Sequence, residues 1–485
     1  LAPTELVQRI HHGTRPLIPI SPLLLTAVAA GGTVALHPGM ALALVLGVTV
    51  LLIVVADIRA LPLFLICTMF IESFEFASGL SVGRLAGAFA LAAVTAYVLY
   101  SRRTQLRPSA LLVAAALFGV WTFASVLWAG NPDDAYRDTF SYLIDVGYAL
   151  AFALLVRGAA QLRAVFLTLV LGSALVGVLS FFHYVAGEAS ASGFQGDRNF
   201  FALYQVIAIP AALVLAAQSR SPARRLLYYA AISVIVLSVV ASESRGGVIT
   251  LGAATVITLF TPGKLFFRRL SHRLMYALAF LLAAAVTFAA GAQPFLERAT
   301  TILDAADPTG YDRGSGRLDL WRAAITGFRE SPWIGLGGGN FRARSLDLLQ
   351  ETPGVDLNQN YIKEGVEAHN SYLDVITGLG VVGGVLFAAV LALTLVSLVR
   401  SLRHARAAGA LDIERYAAGV LAAMLALSVT AAFLSVAYGR LLWTLVGLTL
   451  ALSVITRPRT SSFDATPAPP ALASRRRPRL GTTRA

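Results

Sequence analysis

The sequence predicts an all-α fold: a polytopic transmembrane bundle of about 12–14 helical spans, with one long extracytoplasmic loop containing short amphipathic helices. Three observations predict it. Of 485 residues, 57% are hydrophobic and only 13% charged, with a mean hydropathy of +0.71, whereas roughly a quarter of residues are charged in a soluble domain. The apolar runs are continuous and long enough for a helix to cross a bilayer, unlike the short alternating segments of an outer-membrane barrel. Arg and Lys are also uneven. With a cytoplasmic N-terminus, twenty-six fall in the inner segments and five in the short outer ones, the asymmetry that places both termini inside.

Residues 1–16 read as a cytoplasmic N-terminal segment, a trimmed start with neither an initiator methionine nor a signal-peptide cleavage site. Residues 17–291 read as eleven spans, near 17–36, 39–56, 60–78, 84–100, 109–129, 138–156, 163–186, 200–217, 226–242, 247–261 and 274–291. Residues 292–368 form the long extracytoplasmic loop, which translocates largely regardless of its charge. Residues 369–456 add three spans, near 370–399, 416–436 and 438–456. The tail, 457–485, is rich in Pro, Ser, Thr and Arg and reads as disordered and cytoplasmic, with Arg475, Arg476, Arg477 and Arg479 touching anionic lipid.

Composition excludes several functions. The single cysteine, Cys67, lies inside a span, so no disulfide framework is available. The net charge of +13 is scattered between spans instead of forming one face, which fits topology better than nucleic-acid binding. No Walker motif appears, which disfavours a primary pump.

A loop as long as 292–368 is expected to carry structure or function. Leu318, Trp321, Ile325 and Phe328 recur at helical spacing between Gly316 and Glu330, with Ser315 as N-cap and Ser331-Pro332 as the stop. Such a helix lies in the interface or roofs the bundle. The following G-L-G-G-G-N, Gly335 to Asn340, lacks the ending of a phosphate loop and reads as a flexible turn.

Three outer places combine a helix start with a polar or basic group. In S-E-S-R-G-G, Ser244 caps a span, Arg245 sits in its first turn, and two glycines permit close approach of a ligand. Ser315 and Arg317 repeat the arrangement, and His369 with Asn370 makes the third. Free backbone N–H groups, a helix dipole and a guanidinium together suit an anion. At a helix start near a membrane surface, partial desolvation and the dipole both favour a neutral imidazole, which accepts a proton near neutral pH. The competing reading of each arginine is a snorkelling anchor or an intraprotein ion pair, and of the histidine a cap or packed polar residue. Asp133-Asp134 reads as a solvated face, and Glu72 and Glu75 as partners of Arg84 more readily than as acceptor contacts.

These motifs carry a resemblance. H-N, nine residues, then G-x-x-G (His369, Asn370, Gly380, Gly383) is similar to the signature of the bacterial O-antigen ligase and polymerase superfamily. S-R-G at Ser244 to Gly246, S-G-R-x-x-x-W from Ser315 to Trp321, and the E-S-P-W-I-G-L-G-G-G-N-F turn accompany it in the family's order, and G-x-x-N-F-F-A from Gly196 to Ala202, with Asn199 in a D-x-N element, extends it. The resemblance implies a multi-pass protein of the bacterial inner membrane that transfers or polymerises a glycan from an undecaprenyl-diphosphate carrier onto a glycan or lipid-linked acceptor at the outer face. It implies an inverting reaction with no metal, nucleotide or other cofactor. Arg245 and Arg317 would bind the diphosphate, with Arg322 a weaker candidate, and His369 would serve as base. Asn370, Asn199 and Trp321 would support the site or the acceptor. The alternatives are a transporter or flippase of lipid-linked glycans, which Asp145, Gly172, Gly177 and His183 would serve, and a scaffold for polysaccharide assembly.

Overall fold

The computed structural model describes residues 54, 56–77, 80–101, 108–188, 190–289, 316–353, 355 and 364–457. Two expected spans near the N-terminus, the first part of the long loop with Ser315, and the basic tail lie outside these residues. Every span expected from 60 onward corresponds to a helix. In order these are α1 (Leu61–Met69), α2 (Val82–Tyr100), α3 (Ala110–Ala124), α4 (Pro132–Leu155), α5 (Ala159–Val185), α6 (Arg198–Gln218), α7 (Pro222–Ala241) and α8 (Arg245–Phe260). There follow the one-turn α9 (Gly263–Phe266), α10 (Leu270–Ala289), the loop helices α11 (Arg317–Glu330) and α12 (Asn340–Glu351), then α13 (Ser371–Ala407), α14 (Leu411–Thr430) and α15 (Arg440–Ile455). Among the described residues, eight helices are long and apolar enough to cross a membrane and four apolar ones are shorter. The chain is an all-α integral membrane protein. One departure is small: the span expected at 60–78 is cut short at Met69, where polar Glu72 and Ser73 interrupt the apolar run, and a two-stranded hairpin, β1 (Glu75–Ala77) and β2 (Leu80–Ser81), follows.

The bundle is built around α6. Almost every residue of this helix from Phe201 to Ala217 is buried, among α5, α7, α8 and α14. A helix that is apolar all round belongs in such a position. Pro210 sits within it and is accommodated there.

The loop helices form a second, smaller core of Leu320, Ala323, Ala324, Phe341, Leu348, Leu349 and Ala368. Here the expected apolar stripe of α11 is corrected. Ile325 is exposed and Leu318, Trp321 and Phe328 are only half-buried, whereas Leu320, Ala323, Ala324 and Gly327 face α12 and α13. Small side chains let the helices approach closely, so the largest apolar groups are displaced to the rim.

The turn from Gly335 to Asn340 is not free, as its glycine content led us to expect. It docks into a break in α13. Gly380 there has φ 66° and ψ −168°. Across the break, Leu336 N–H donates to the Thr377 carbonyl (2.9 Å), Gly337 N–H to Gly378 (2.8 Å), and Val381 N–H to Pro332 (2.8 Å). A Cβ on Gly335 or Gly380 would collide with backbone of the opposing segment, so glycine is required for two main chains to touch. Asn340 then clasps the α3–α4 connection, accepting from Asn131 N–H (2.6 Å) and donating to its carbonyl (3.0 Å).

Candidate functional site

The starts of α6, α8, α11 and α13 come together at one end of the bundle. Asp197 caps α6, accepting from Asn199 and Phe200 N–H (2.6 and 3.1 Å). Ser244 caps α8 as expected, accepting from Gly247 N–H (3.0 Å). Asn370 caps α13 through Tyr372 and Leu373 N–H (3.0 and 3.1 Å). For α11 the cap position is Gly316, at φ 75° and without a side-chain cap. Each start leaves backbone donors directed outward at the positive end of a helix dipole.

Side chains tie these starts together. The Ser244 hydroxyl bonds the Asn199 side-chain oxygen (2.7 Å), linking α8 to α6. Trp321 Nε1 donates to the Ala368 carbonyl (3.1 Å), fixing the residue before His369, while its ring lies 6.4 Å from that of Phe433. Ser371 N–H donates to the Ala431 carbonyl (2.8 Å) and its hydroxyl to Leu434 (2.7 Å), anchoring α13 to the α14–α15 connection.

The corner so formed is cationic. Arg198 and Arg245 are both near enough to act on Arg317, with Asp197 as the opposing carboxylate. Burial lowers the pKa of Arg317, and its two neighbouring guanidiniums lower it further against Asp197. His369 is held below the ordinary histidine value, first by burial and then by the Arg317 cation, with Asp197 opposing. The three places that the sequence singled out separately, at Arg245, Arg317 and His369, thus meet through Arg317.

Details differ from the sequence reading. His369 is not in the first turn of α13 but one residue before its cap, at φ 49°, and its neighbouring cation is Arg317. Glu243 holds the equivalent place before Ser244, at φ 52°. These are the two non-glycine residues with positive φ among those described, and left-handed backbone of this kind is strained and concentrates at functional sites. Of the paired glycines, Gly247 faces α6: a Cβ there would stand 2.5 Å from that of Ala202. Gly246 faces Phe433 and the Arg317 guanidinium, whose nearer nitrogen would be 3.9 Å from an added Cβ. Helix packing therefore accounts for Gly247. Arg322 is not brought into the corner: it is half exposed and pairs with Asp319 at 3.8 Å. Five residues on from Arg317, it lies well round the helix.

A cavity of about 360 Å³ adjoins the corner, lined by Phe200 and Glu367 on that side. Its walls combine carboxylates (Asp134, Asp138, Glu367, Asp374) with guanidiniums (Arg84, Arg137, Arg342, Arg440). Glu367 is pushed up by the surrounding protein, against the nearby Arg342 cation. Asp374 accepts from Ala368 N–H (2.9 Å) and from the Ser435 hydroxyl. At the cavity floor Glu72 pairs with Arg440 (3.0 Å) and accepts from Tyr204 (2.9 Å), so its partner is carried by α15. The side chain of Glu75 lies outside the described residues. Asp145, offered above as a transporter feature, is buried beside Arg440 and Glu72. Sequence reasoning missed Asp197, Asp138, Glu367 and Asp374. Only Asp197 carried a local signal, as an N-cap in D-x-N.

A helical integral membrane protein with a cationic corner at one end is the class that fold and site define. Residues 230–388 match the model of the O-antigen ligase family. That stretch runs from α7 to the middle of α13 and contains Arg245, Arg317, His369 and the Gly380 break. Over these residues the chain is similar to the O-antigen ligase family. None of the curated proteins compared matches the chain.

Proposed function

We propose that the protein is a glycosyltransferase of the outer face of the bacterial inner membrane, with both termini cytoplasmic. It moves a glycan from an undecaprenyl-diphosphate carrier onto an acceptor hydroxyl, on a lipid-linked or glycan acceptor. The observation that carries this reading is the meeting of Arg198, Arg245 and Arg317 at helix starts, with His369 beside them. Guanidiniums and helix N-termini suit the two phosphates of such a donor.

The chemistry then balances without nucleotide or metal. The acceptor oxygen attacks the anomeric carbon, its proton passes to a ring nitrogen of His369, and the bond from that carbon to the diphosphate oxygen breaks. The diphosphate departs on its carrier, and attack from the opposite side inverts the anomeric centre. Arginine contacts that strengthen as charge grows on the leaving oxygen lower the barrier. Burial and Arg317 both favour an uncharged imidazole, the form that takes a proton. Asn199, Asn370 and Trp321 act as supports: they hold helix starts and the residue before His369.

Purified protein in detergent, given an undecaprenyl-diphosphate-linked oligosaccharide and a glycan acceptor, is expected to form product and release undecaprenyl diphosphate without ATP or a sealed membrane. A transporter of lipid-linked glycans forms no product under these conditions, and that outcome would replace this reading with the transporter one.

A further inference from the structure

The cavity beside the corner has no role in the transfer as derived so far. Its carboxylates are unevenly satisfied. Asp134 pairs with Arg137 (3.5 Å) and accepts from the Asn131 amide (2.9 Å). Glu72 has Arg440 and Tyr204. Asp138 differs: it is partly buried in the cavity wall, its charged neighbours are the carboxylates Glu367, Asp374 and Asp134 with Arg137 opposing, and no hydrogen bond reaches it from the described residues. Asp138, Glu367 and Asp374 come from α4, the segment before His369 and α13, so tertiary structure alone brings them together.

We infer that the wall formed by Asp138, Glu367 and Asp374 is a sugar subsite, which holds the uncharged, hydroxyl-rich end of the acceptor through carboxylate oxygens while its reacting hydroxyl reaches His369. The inference rests on the glycosyl transfer proposed above and names the acceptor's chemical class. A carboxyl group drawn into protein without a donor is costly; of the three, Asp138 is in that position, and a vicinal diol supplies two O–H donors to such oxygens. Among the described residues no group of His, Cys, Asp and Glu is arranged to close around a metal ion, so a hydroxyl ligand matches the wall better. A volume of about 360 Å³ falls at the small end of ligand pockets, the range of a short saccharide end. Glu367 precedes His369 by two residues, so one segment joins subsite and base.

The division of charge gives selectivity. Of the cavity's guanidiniums, Arg440 is taken up by Glu72 and Arg137 by Asp134, so Asp138 and Asp374 meet a ligand as oxygen groups that suit the hydroxyls of a sugar and offer nothing to a carboxylate on it. Acceptors should therefore be neutral or amino sugars, with hexuronic acids disfavoured at this position.

The test uses full-length protein in detergent, an undecaprenyl-diphosphate-linked oligosaccharide as donor, and two acceptors: a disaccharide of neutral hexoses and the same disaccharide with its terminal residue oxidised to the uronic acid. Wild type is expected to prefer the neutral acceptor by about tenfold or more in kcat/KM. Asp138→Asn, which disturbs no hydrogen bond among the described residues, should raise the acceptor KM about tenfold, leave the donor KM within about twofold, and narrow the preference between acceptors. Glu367→Gln gives a second variant, and an unchanged melting temperature shows that each folds. Equal use of both acceptors by wild type, or an unaltered acceptor KM in both folded variants, overturns the subsite while glycosyl transfer stands. Absence of product from wild type with either acceptor overturns the transfer and the subsite with it.

Discussion

The cationic corner and the carboxylate-lined cavity share the segment from Glu367 to Asn370 and are assembled by opposite means. The corner is made of helix starts: Asp197, Ser244 and Asn370 each cap a helix within three residues of the group they present. The cavity wall collects side chains from the body of α4, the approach to α13 and the connection before α15. The first device is local in sequence and the second is wholly tertiary. In the reaction proposed above the first region takes the phosphates and the second the acceptor hydroxyls, and substitutions can break that assignment.

The largest effect is expected at the element the two regions share. His369→Ala should lower turnover by about 10²–10⁴-fold, the range for loss of a general base, measured as release of undecaprenyl diphosphate. An undiminished rate would remove the base from the corner. Arg317→Ala comes next, at about 10²–10³-fold in kcat, as expected when a donor to developing charge is lost. Lysine there should restore little, because it lacks the planar fork that meets two phosphate oxygens.

The same variant sharpens the electrostatic link. Only the uncharged imidazole takes a proton, so turnover falls as pH drops through the pKa of His369, which burial and then Arg317 hold below the ordinary value. Removing the cation raises that pKa. The acid limb of the residual activity of Arg317→Ala should therefore shift to higher pH, and a limb that stays in place would separate the two residues.

A structural prediction of intermediate size concerns the break that aligns the shared segment. Gly380→Ala places a side chain at φ 66° and against the Trp333 backbone, and should cost about 1–3 kcal/mol in detergent unfolding. Gly252→Ala in α8 meets open space and should be neutral or stabilising by up to about 1 kcal/mol. The smallest effect belongs to Arg322→Ala. Its pair with Asp319 is half exposed, and exposed pairs contribute only about 0.2–1 kcal/mol, so activity should remain within about threefold.

How much of this was legible follows from the same contrast. The spans α1 to α8, α10 and α13 to α15 could be read because continuous apolar runs separated by basic segments leave few alternatives, and α11 from its helical spacing; α9 and α12 were not foreseen. The helix starts at Arg245, Arg317 and His369 could be read singly, since capping is a matter of adjacent residues. Their convergence could not, because it depends on how α6, α8, α11 and α13 pack. The glycine turn was read as flexible because its partner, the break at Gly380, lies some forty residues away. The stripe on α11 was misplaced because spacing favours large apolar groups, whereas close packing selected Leu320, Ala323, Ala324 and Gly327. Asp138 and Asp374 lie within helical spans and carry no local sign of the cavity they share.

The central claim is that the guanidiniums of one corner, and not the groups of the neighbouring cavity, hold the diphosphate. The most direct measurement is the affinity of purified protein in detergent for undecaprenyl diphosphate itself, compared among wild type, Arg245→Ala/Arg317→Ala and Asp138→Asn. Loss of about tenfold or more in the double variant, with Asp138→Asn within about twofold of wild type, is the result this structure predicts. Unchanged affinity in the double variant, or a loss confined to Asp138→Asn, would contradict it.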